Sequence, residues 1–359
     1  MTALAMYRLP YADSYTVAVQ GKGKPEELHS IQELDGRSGF VIAPFCISTD
    51  EPLLLLRPDH TETLPVRNVN AVAGRIAHST EEQEAEHEHY AANFAAFHER
   101  LTDGTFSKIV LARRTTEHMA QKVAAEELFM RACSLYPRMF VALVHTEKCG
   151  TWLTATPEIL LEGNGDTWRT VALAGTMRLE GQALAFDNSP TPGGSNDHGM
   201  DWNEKNRKEQ RIVADYIEAT LRPFASKITR SPARTVRAGE IVHLRSDFCF
   251  IPHSNGKLGS LLNAMHPTPA VCGRPKQEAQ DFILNNEHSP RSYYSGFMGP
   301  LSPSGETHLY VSLRCMQICN GLCHLYAGGG LMTDSTEAKE WTETEAKMAT
   351  MRLVLGDIA

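Results

Sequence analysis

"VSLRCMQICNGLCHLYAGGG", residues 311–330, is two alternating apolar runs joined by Asn320-Gly321, a dipeptide suited to the positive-φ positions of a two-residue hairpin. The stretch also spaces Cys315, Cys319 and Cys323 four residues apart, which invites a metal reading. A zinc knuckle needs a second close pair of ligands, and the sequence offers none. The cysteines are therefore read as strand residues, and the segment as an antiparallel hairpin leading into a triple glycine.

Working outward, the same texture recurs. "YTVAVQGKGKPEE", "GFVIAPFC" and "EPLLLLRPD" read as strands of a β-rich N-terminal lobe, and "FSKIVLARRT", "MFVALVHT", "GTWLTATPEILLEG" and "TWRTVALAGTMR" as further strands. "EEQEAEHEHYAANFAAFHERL" places Tyr90, Phe94, Phe97 and Leu101 at helical spacing behind an acidic start. Its His87, His89 and His98 read as solvated side chains or as metal ligands. Helices are expected also in "AAEELFMRACSLYP", "WNEKNRKEQRIVADYIEATLRPF", "GKLGSLLNAMHP" and "TEAKEWTETEAKM" (336–348), and "DNSPTPGGSNDHGMD" as a surface loop. Without a repeat or low-complexity tract, residues 1–359 read as one continuous α+β unit dominated by antiparallel strands.

A length of 359 residues suits one large core or two modest ones. A net charge of −8 gives no support to a nucleic-acid surface or an anionic membrane as partner. The start "MTALAMYRLP" lacks a secretory pattern and "PLLLL" is far too short to cross a bilayer, so a reducing cytoplasm is expected. No G-x-S-x-G, G-x-x-x-x-G-K-[ST], H-E-x-x-H or helix-opening G-x-G-x-x-G occurs, which removes the usual support for serine hydrolysis and nucleotide binding.

What remains is charge in unusual places. Lys108 shares a strand face with Val110 and Ala112, either as an edge gatekeeper or as a lysine whose burial lets it act as a base. Glu158 follows Pro157 at a strand-like position, as a salt-bridge partner or as the matching acid. Glu340, Glu343 and Lys347 lie along one helical face, and Glu204 and Glu209 stand near the start of another helix. Surface ion pairs explain each helix; two such helices meeting would also offer carboxylates to Mg²⁺. Ala327–Gly330 reads as a tight turn or as amides open to an anion, and Arg314 as a buried salt bridge or a carboxylate clamp.

Taken in order, "SKIVLARR" (107–114), "TPEILL" (156–161), "ALAGTMR" (172–178), "EKNRKEQRIV" (204–213), "HPTPAVCGRPKQEA" (266–279), "SPRSYYSGFMGP" (289–300), "VSLRC" (311–315), "YAGGGL" (326–331) and "EWTETEAKM" (340–348) resemble the chorismate-utilising enzymes. That family includes isochorismate synthases, salicylate synthases and the large subunits of anthranilate and aminodeoxychorismate synthases. The resemblance implies an anthranilate synthase component I-like fold (ADC synthase fold), antiparallel sheets packed as a sandwich with helices around them. It implies a catalytic core over 96–356 and a divergent β-rich portion over 1–95. Lysine at 108 resembles members that add water, where ammonia users carry glutamine. Ala174 stands where aminodeoxychorismate synthases have a nucleophilic lysine. The implied reaction is therefore chorismate to isochorismate, with Lys108 as base, Glu158 as acid, and no amidotransferase subunit. Glu209 and Glu343 match Mg²⁺ ligands, with Glu204 and Glu340 in support. Ala174, Gly175, Thr176, His266, Ala270, Gly273, Tyr294, Arg314, Gly329 and Lys347 match substrate-pocket positions. Salicylate synthase and a silent chorismate sensor are the rival readings, and a monomer is expected.

Overall fold

The computed structural model describes residues 3–67, 76–77, 80–119, 123–165, 167–179, 201–238, 241–253 and 257–356. Within them the hairpin forms as expected: Cys315–Cys319 pairs with Leu322–Leu331 through a turn in which Asn320 (φ 46°) and Gly321 (φ 89°) both take positive φ. This hairpin sits inside the first of two antiparallel sheets. Its order is Gly273–Arg274, Lys108–Met119, Leu322–Leu331, Cys315–Cys319, Gly150–Thr156, Phe140–Thr146, Ala3–Arg8, Ser14–Gln20 and His60–Pro65, with Ile76–Ala77 also pairing to Lys108–Met119. The second sheet runs Ala225–Arg230, Ile241–Pro252, Thr167–Arg178, Ile159–Asn164, Glu306–Val311, Phe297–Leu301, Gly39–Ala43, Leu53–Leu56 and Glu26–Leu28, with Arg234–Ala238 on Ile241–Pro252. The N-terminal strands are thus no separate lobe. They extend both sheets at the edge remote from Lys108.

The sheets face each other across Phe140, Trp152, Ile159, Val171, Tyr310 and their neighbours. Helices cover the outer faces. We label them α1 (Thr80–Thr102), α2 (Ala125–Leu135), α3 (Glu204–Leu221), α4 (Leu258–Met265), α5 (Lys276–Asn286) and α6 (Glu337–Leu355). α3 and α4 bury Val213, Ile217, Leu261 and Leu262 against the second sheet, and α2 and α6 bury Phe129, Met348 and Met351 against the first. "PLLLL" shows the layering in miniature: Leu53 and Leu55 join the helix-covered side and Leu54 and Leu56 the inter-sheet side, as side chains alternating across a sheet buried on both faces must.

Two places where strands were expected to run on are breaks, and both matter. "GTWLTATPEILLEG" leaves the first sheet at Thr156 and enters the second at Ile159, because Pro157 has no N–H to continue a ladder. "YVSLRCMQ" leaves the second sheet at Val311 and enters the first at Cys315, with Arg314 at φ 46°. The two crossings lie side by side, joined by Val311 N–H to Glu158 O (2.9 Å) and Ala155 N–H to Arg314 O (3.1 Å). The triple glycine is strand rather than turn: Gly328, Gly329 and Gly330 pair with Ala112, Leu111 and Val110. α5 was not expected from the sequence, and residues 187–200 of the expected loop lie outside the described residues. No helix of the described residues is long and apolar enough to cross a membrane.

Candidate active site

A cavity opens where the two crossings meet the ends of the central strands. Glu158, Ala174, Gly175, Thr176, Glu209, Ala270, Tyr294, Arg314 and Lys347 line it, nine of the sixteen positions that the sequence nominates. Lys108 lies just beneath: it is fully buried, with Glu209 Oε1 at 3.0 Å from its Nζ. A lysine at 0% exposure is no edge gatekeeper. The bare backbone of Gly330 makes this arrangement possible, because a Cβ there would stand 2.2 Å from Glu209 Oε1 and 2.8 Å from Lys108 Cε. Gly328 gives way similarly to the Tyr294 hydroxyl, 2.8 Å from where its Cβ would be.

The wall built by the crossings holds polar groups with little counter-charge. Glu158 is 4% exposed, and among the described residues its carboxyl has no hydrogen-bond partner. Burial pushes it up to about 7, against the pull of Lys108, Lys347 and Arg314. Arg314 donates from Nη2 to His243 Nε2 (2.7 Å), while its buried Nη1 has no partner. Burial draws the guanidinium down to about 10, which leaves it charged at neutral pH. Accepting that bond fixes the His243 tautomer: Nδ1 carries the proton and donates to Gly175 O at 3.0 Å. Burial, then Arg314 and Lys347, hold His243 well below its ordinary value, hence neutral. Gly175 offers its carbonyl because it is the bulge in the Thr167–Arg178 strand, at φ 76°.

The opposite wall, from α3 and α6, pairs each carboxylate with a lysine. Glu209 faces Lys108, Glu343 accepts from Lys347 Nζ at 2.7 Å, and Glu340 accepts from Lys205 Nζ. Lys347 also donates to Gly328 O at 2.7 Å. Burial raises Glu340, and the nearby Glu343 charge adds to it. Burial would raise Glu343 too, but Lys347 outweighs it and holds Glu343 low. Glu340 is 1% exposed, and its Oε2 makes no hydrogen bond of normal geometry. Gly329 leaves room beside that oxygen, since a Cβ there would stand 2.9 Å from Glu340 Oε2 and 3.9 Å from Glu343 Oε1. An orphaned carboxylate oxygen beside a vacant Cβ position, in an all-oxygen donor set, fits a hard divalent cation. As they stand, no three acidic, histidine or cysteine side chains of the described residues converge into a cage.

Four nominated positions fall elsewhere. Glu204 is exposed at the start of α3 and paired with Arg211 (2.6 Å), away from the cavity. His266 is buried against Phe297 outside the cavity wall, and burial draws it down to about 3. Gly273 pairs with Ile109 and gives Ala279 and Lys108 O their close approach, 2.7 Å from a Cβ, so it packs rather than lines. Gly329 faces the Glu340/Glu343 pair, and its neighbours Gly328 and Gly330 line the cavity instead; strand alternation about this triplet is readable only once it is known to be strand. His243 was missed. Its one signal is a histidine inside the apolar run "EIVHL". The other histidines serve packing: His87 meets Glu337, His89 stacks on His288, and His98 meets Thr333 O. All eight cysteines are free thiols.

A lysine-carboxylate lattice facing a buried acid, a neutral imidazole and an arginine is what a small dianionic substrate with a proton-transfer step requires. The family of chorismate binding enzymes matches residues 54–356, and the chain belongs to it. More particularly, it is similar to isochorismate synthase DhbC of Bacillus subtilis (strain 168), 29% identical over 272 residues, 72% of this chain and 65% of that protein. It is 29% identical over 259 residues to isochorismate synthase MenF of Escherichia coli (strain K12), 71% of this chain and 57% of that protein. The chain thus aligns over less than two thirds of the length of these relatives. The structure of MenF, titled the menaquinone-specific isochorismate synthase, superimposes with a TM-score of 0.77 at 20% identity, over 99% of this chain and 89% of that one. Anthranilate synthase component I from Streptococcus pneumoniae superimposes with a TM-score of 0.70 at 15% identity, over 95% and 92%. The fold is that of anthranilate synthase component I.

Proposed function

We propose that this chain converts chorismate to isochorismate in the presence of Mg²⁺, adding water at C2 as the C4 hydroxyl leaves. The observation that carries the reading is Glu158: a carboxyl buried without a hydrogen-bond partner and pushed up to about 7, so that it holds a transferable proton near neutral pH. Glu158 gives that proton to the departing hydroxyl. Lys108 takes one from the entering water, which requires its ammonium to be released from Glu209 first. Arg314, with a free buried Nη1, clamps a substrate carboxylate and His243 holds it in place. Ala174, small at its position, leaves the ring unobstructed by any nucleophilic side chain.

Glu209 and Glu343 would hold Mg²⁺, with Glu340 in support. Magnesium supplies positive charge to the ring carboxylate, which a protein of net charge −8 otherwise repels. The catalytic portion is 96–356, water serves as nucleophile without an amidotransferase partner, and the product belongs to menaquinone or siderophore synthesis, the roles in which relatives are named. The test is incubation with chorismate and Mg²⁺ followed by chromatography. Isochorismate is expected, with reversible loss of activity in EDTA. Salicylate and pyruvate without an added lyase would make it a salicylate synthase, and chorismate binding without turnover would make it a sensor.

A further inference from the structure

Lys205 is the one cation of this region that the reaction leaves unused. It stands in the first turn of α3, where the positive end of the helix dipole disfavours a cation. Its side chain is 18% exposed, so little water offsets that placement. Its Nζ pairs with Glu340 Oε1, and its charge also reaches Glu343 and Glu209. The other two lysines of the lattice each face one carboxylate, Lys108 at Glu209 and Lys347 at Glu343. Lys205 thus stands toward all three acids at once, as a cation held among them would. It does not line the cavity, so substrate contact does not account for it.

We infer that Lys205 is a built-in counter-ion of the acidic cluster, which holds Glu340 in place when no divalent cation is bound and competes with that cation when one arrives. This rests on the proposed binding of a divalent cation by Glu209 and Glu343. Removing the ammonium frees Glu340 Oε1 beside the already unpartnered Oε2, and leaves the cluster with one more uncompensated negative charge. A divalent cation satisfies both deficits. The lysine therefore sets how tightly the metal is held, trading affinity for a cluster that stays assembled when empty.

The test is Mn²⁺ binding to the EDTA-treated full chain, followed by the electron paramagnetic resonance of free Mn²⁺, with no substrate present. Lys205→Met is expected to bind at least about tenfold more tightly than wild type, or about 1.4 kcal/mol, and Lys205→Arg to bind like wild type. Thermal unfolding gives a second readout: Lys205→Met melts below wild type in EDTA and recovers more on adding Mn²⁺. Should Lys205→Met be too unstable to purify, Lys205→Gln, which keeps a hydrogen-bond donor for Glu340, is expected to show the same gain in smaller measure. Wild type that binds Mn²⁺ while the neutral variants bind equally or more weakly overturns the role of Lys205 alone. Absence of Mn²⁺ binding in wild type and neutral variants alike overturns the metal reading beneath it.

Discussion

The two walls of the cavity differ in how they treat charge. On the wall made by the sheet crossings, Glu158 and His243 are buried so that each is favoured in its neutral form, and Arg314 keeps one buried N–H unmatched. On the wall made by α3 and α6, three glutamates are matched one to one by lysines. The first arrangement stores a proton near neutral pH, because desolvation disfavours the ionised carboxyl. The second stores charge with little titration, because each carboxylate has a partner. Proton transfer and anion binding are thus assigned to separate structural elements, and substitutions on the two walls should fail in different ways.

The largest effect is expected at Glu158. Glu158→Gln keeps the shape and removes the proton, so turnover should fall by about 10²–10⁴-fold with the fold intact by circular dichroism. The same variant should be more stable than wild type at alkaline pH. The folded carboxyl holds its proton up to about 7, above its unfolded value, so the folded state binds more protons over that window and stability falls as pH rises through it. Gln escapes that loss. A gain of about 1–3 kcal/mol at pH 8, and none at pH 4, is expected from denaturant melts.

Gly330→Ala comes next, and strikes the other wall. Its Cβ would overlap Glu209 Oε1 and press on Lys108 Cε, so the Lys108–Glu209 pair must separate. Activity should drop by about 10²-fold, with loss of Mn²⁺ affinity that Glu158→Gln does not share. Arg314→Lys loses the planar fork that meets both His243 and a carboxylate; KM for chorismate should rise by about tenfold, more than kcat falls. Glu204→Ala should do least. Its exposed pair with Arg211 contributes less than about 1 kcal/mol, and unaltered Mn²⁺ binding would sharpen the boundary of the acidic wall.

How much of this was legible in the sequence depended on what each signal rests on. The antiparallel α+β architecture was, because Asn320-Gly321 and the alternation around it are local. α1, α3 and α6 were, because helical spacing of apolar residues is local too. Lys108 and Glu158 stood out as charges in apolar strands, and both are buried at the cavity. The breaks at Pro157 and Arg314 were not seen, since each crossing joins two runs that both have strand character. Without those breaks nothing indicates that Glu158 and Arg314 are neighbours. Gly329 was chosen over Gly328 and Gly330 for the same reason: facing cannot be assigned to glycines read as a turn. Glu204 was indistinguishable from Glu209 by spacing, and only the rotation of α3 against the sheet separates an exposed carboxylate from one on the cavity. His243 makes its contacts with Arg314 and Gly175, 71 and 68 residues away in the chain, so no window around it reveals its role.

The central claim is that Glu158 supplies the proton. The pH dependence of kcat/KM for conversion of chorismate to isochorismate at saturating Mg²⁺ tests it most directly. With the carboxyl pushed up to about 7 by burial, the rate should fall tenfold per pH unit above roughly pH 7 as the acid form is depleted. A rate that stays level from pH 6 to pH 9 would contradict it and move the acid to another group.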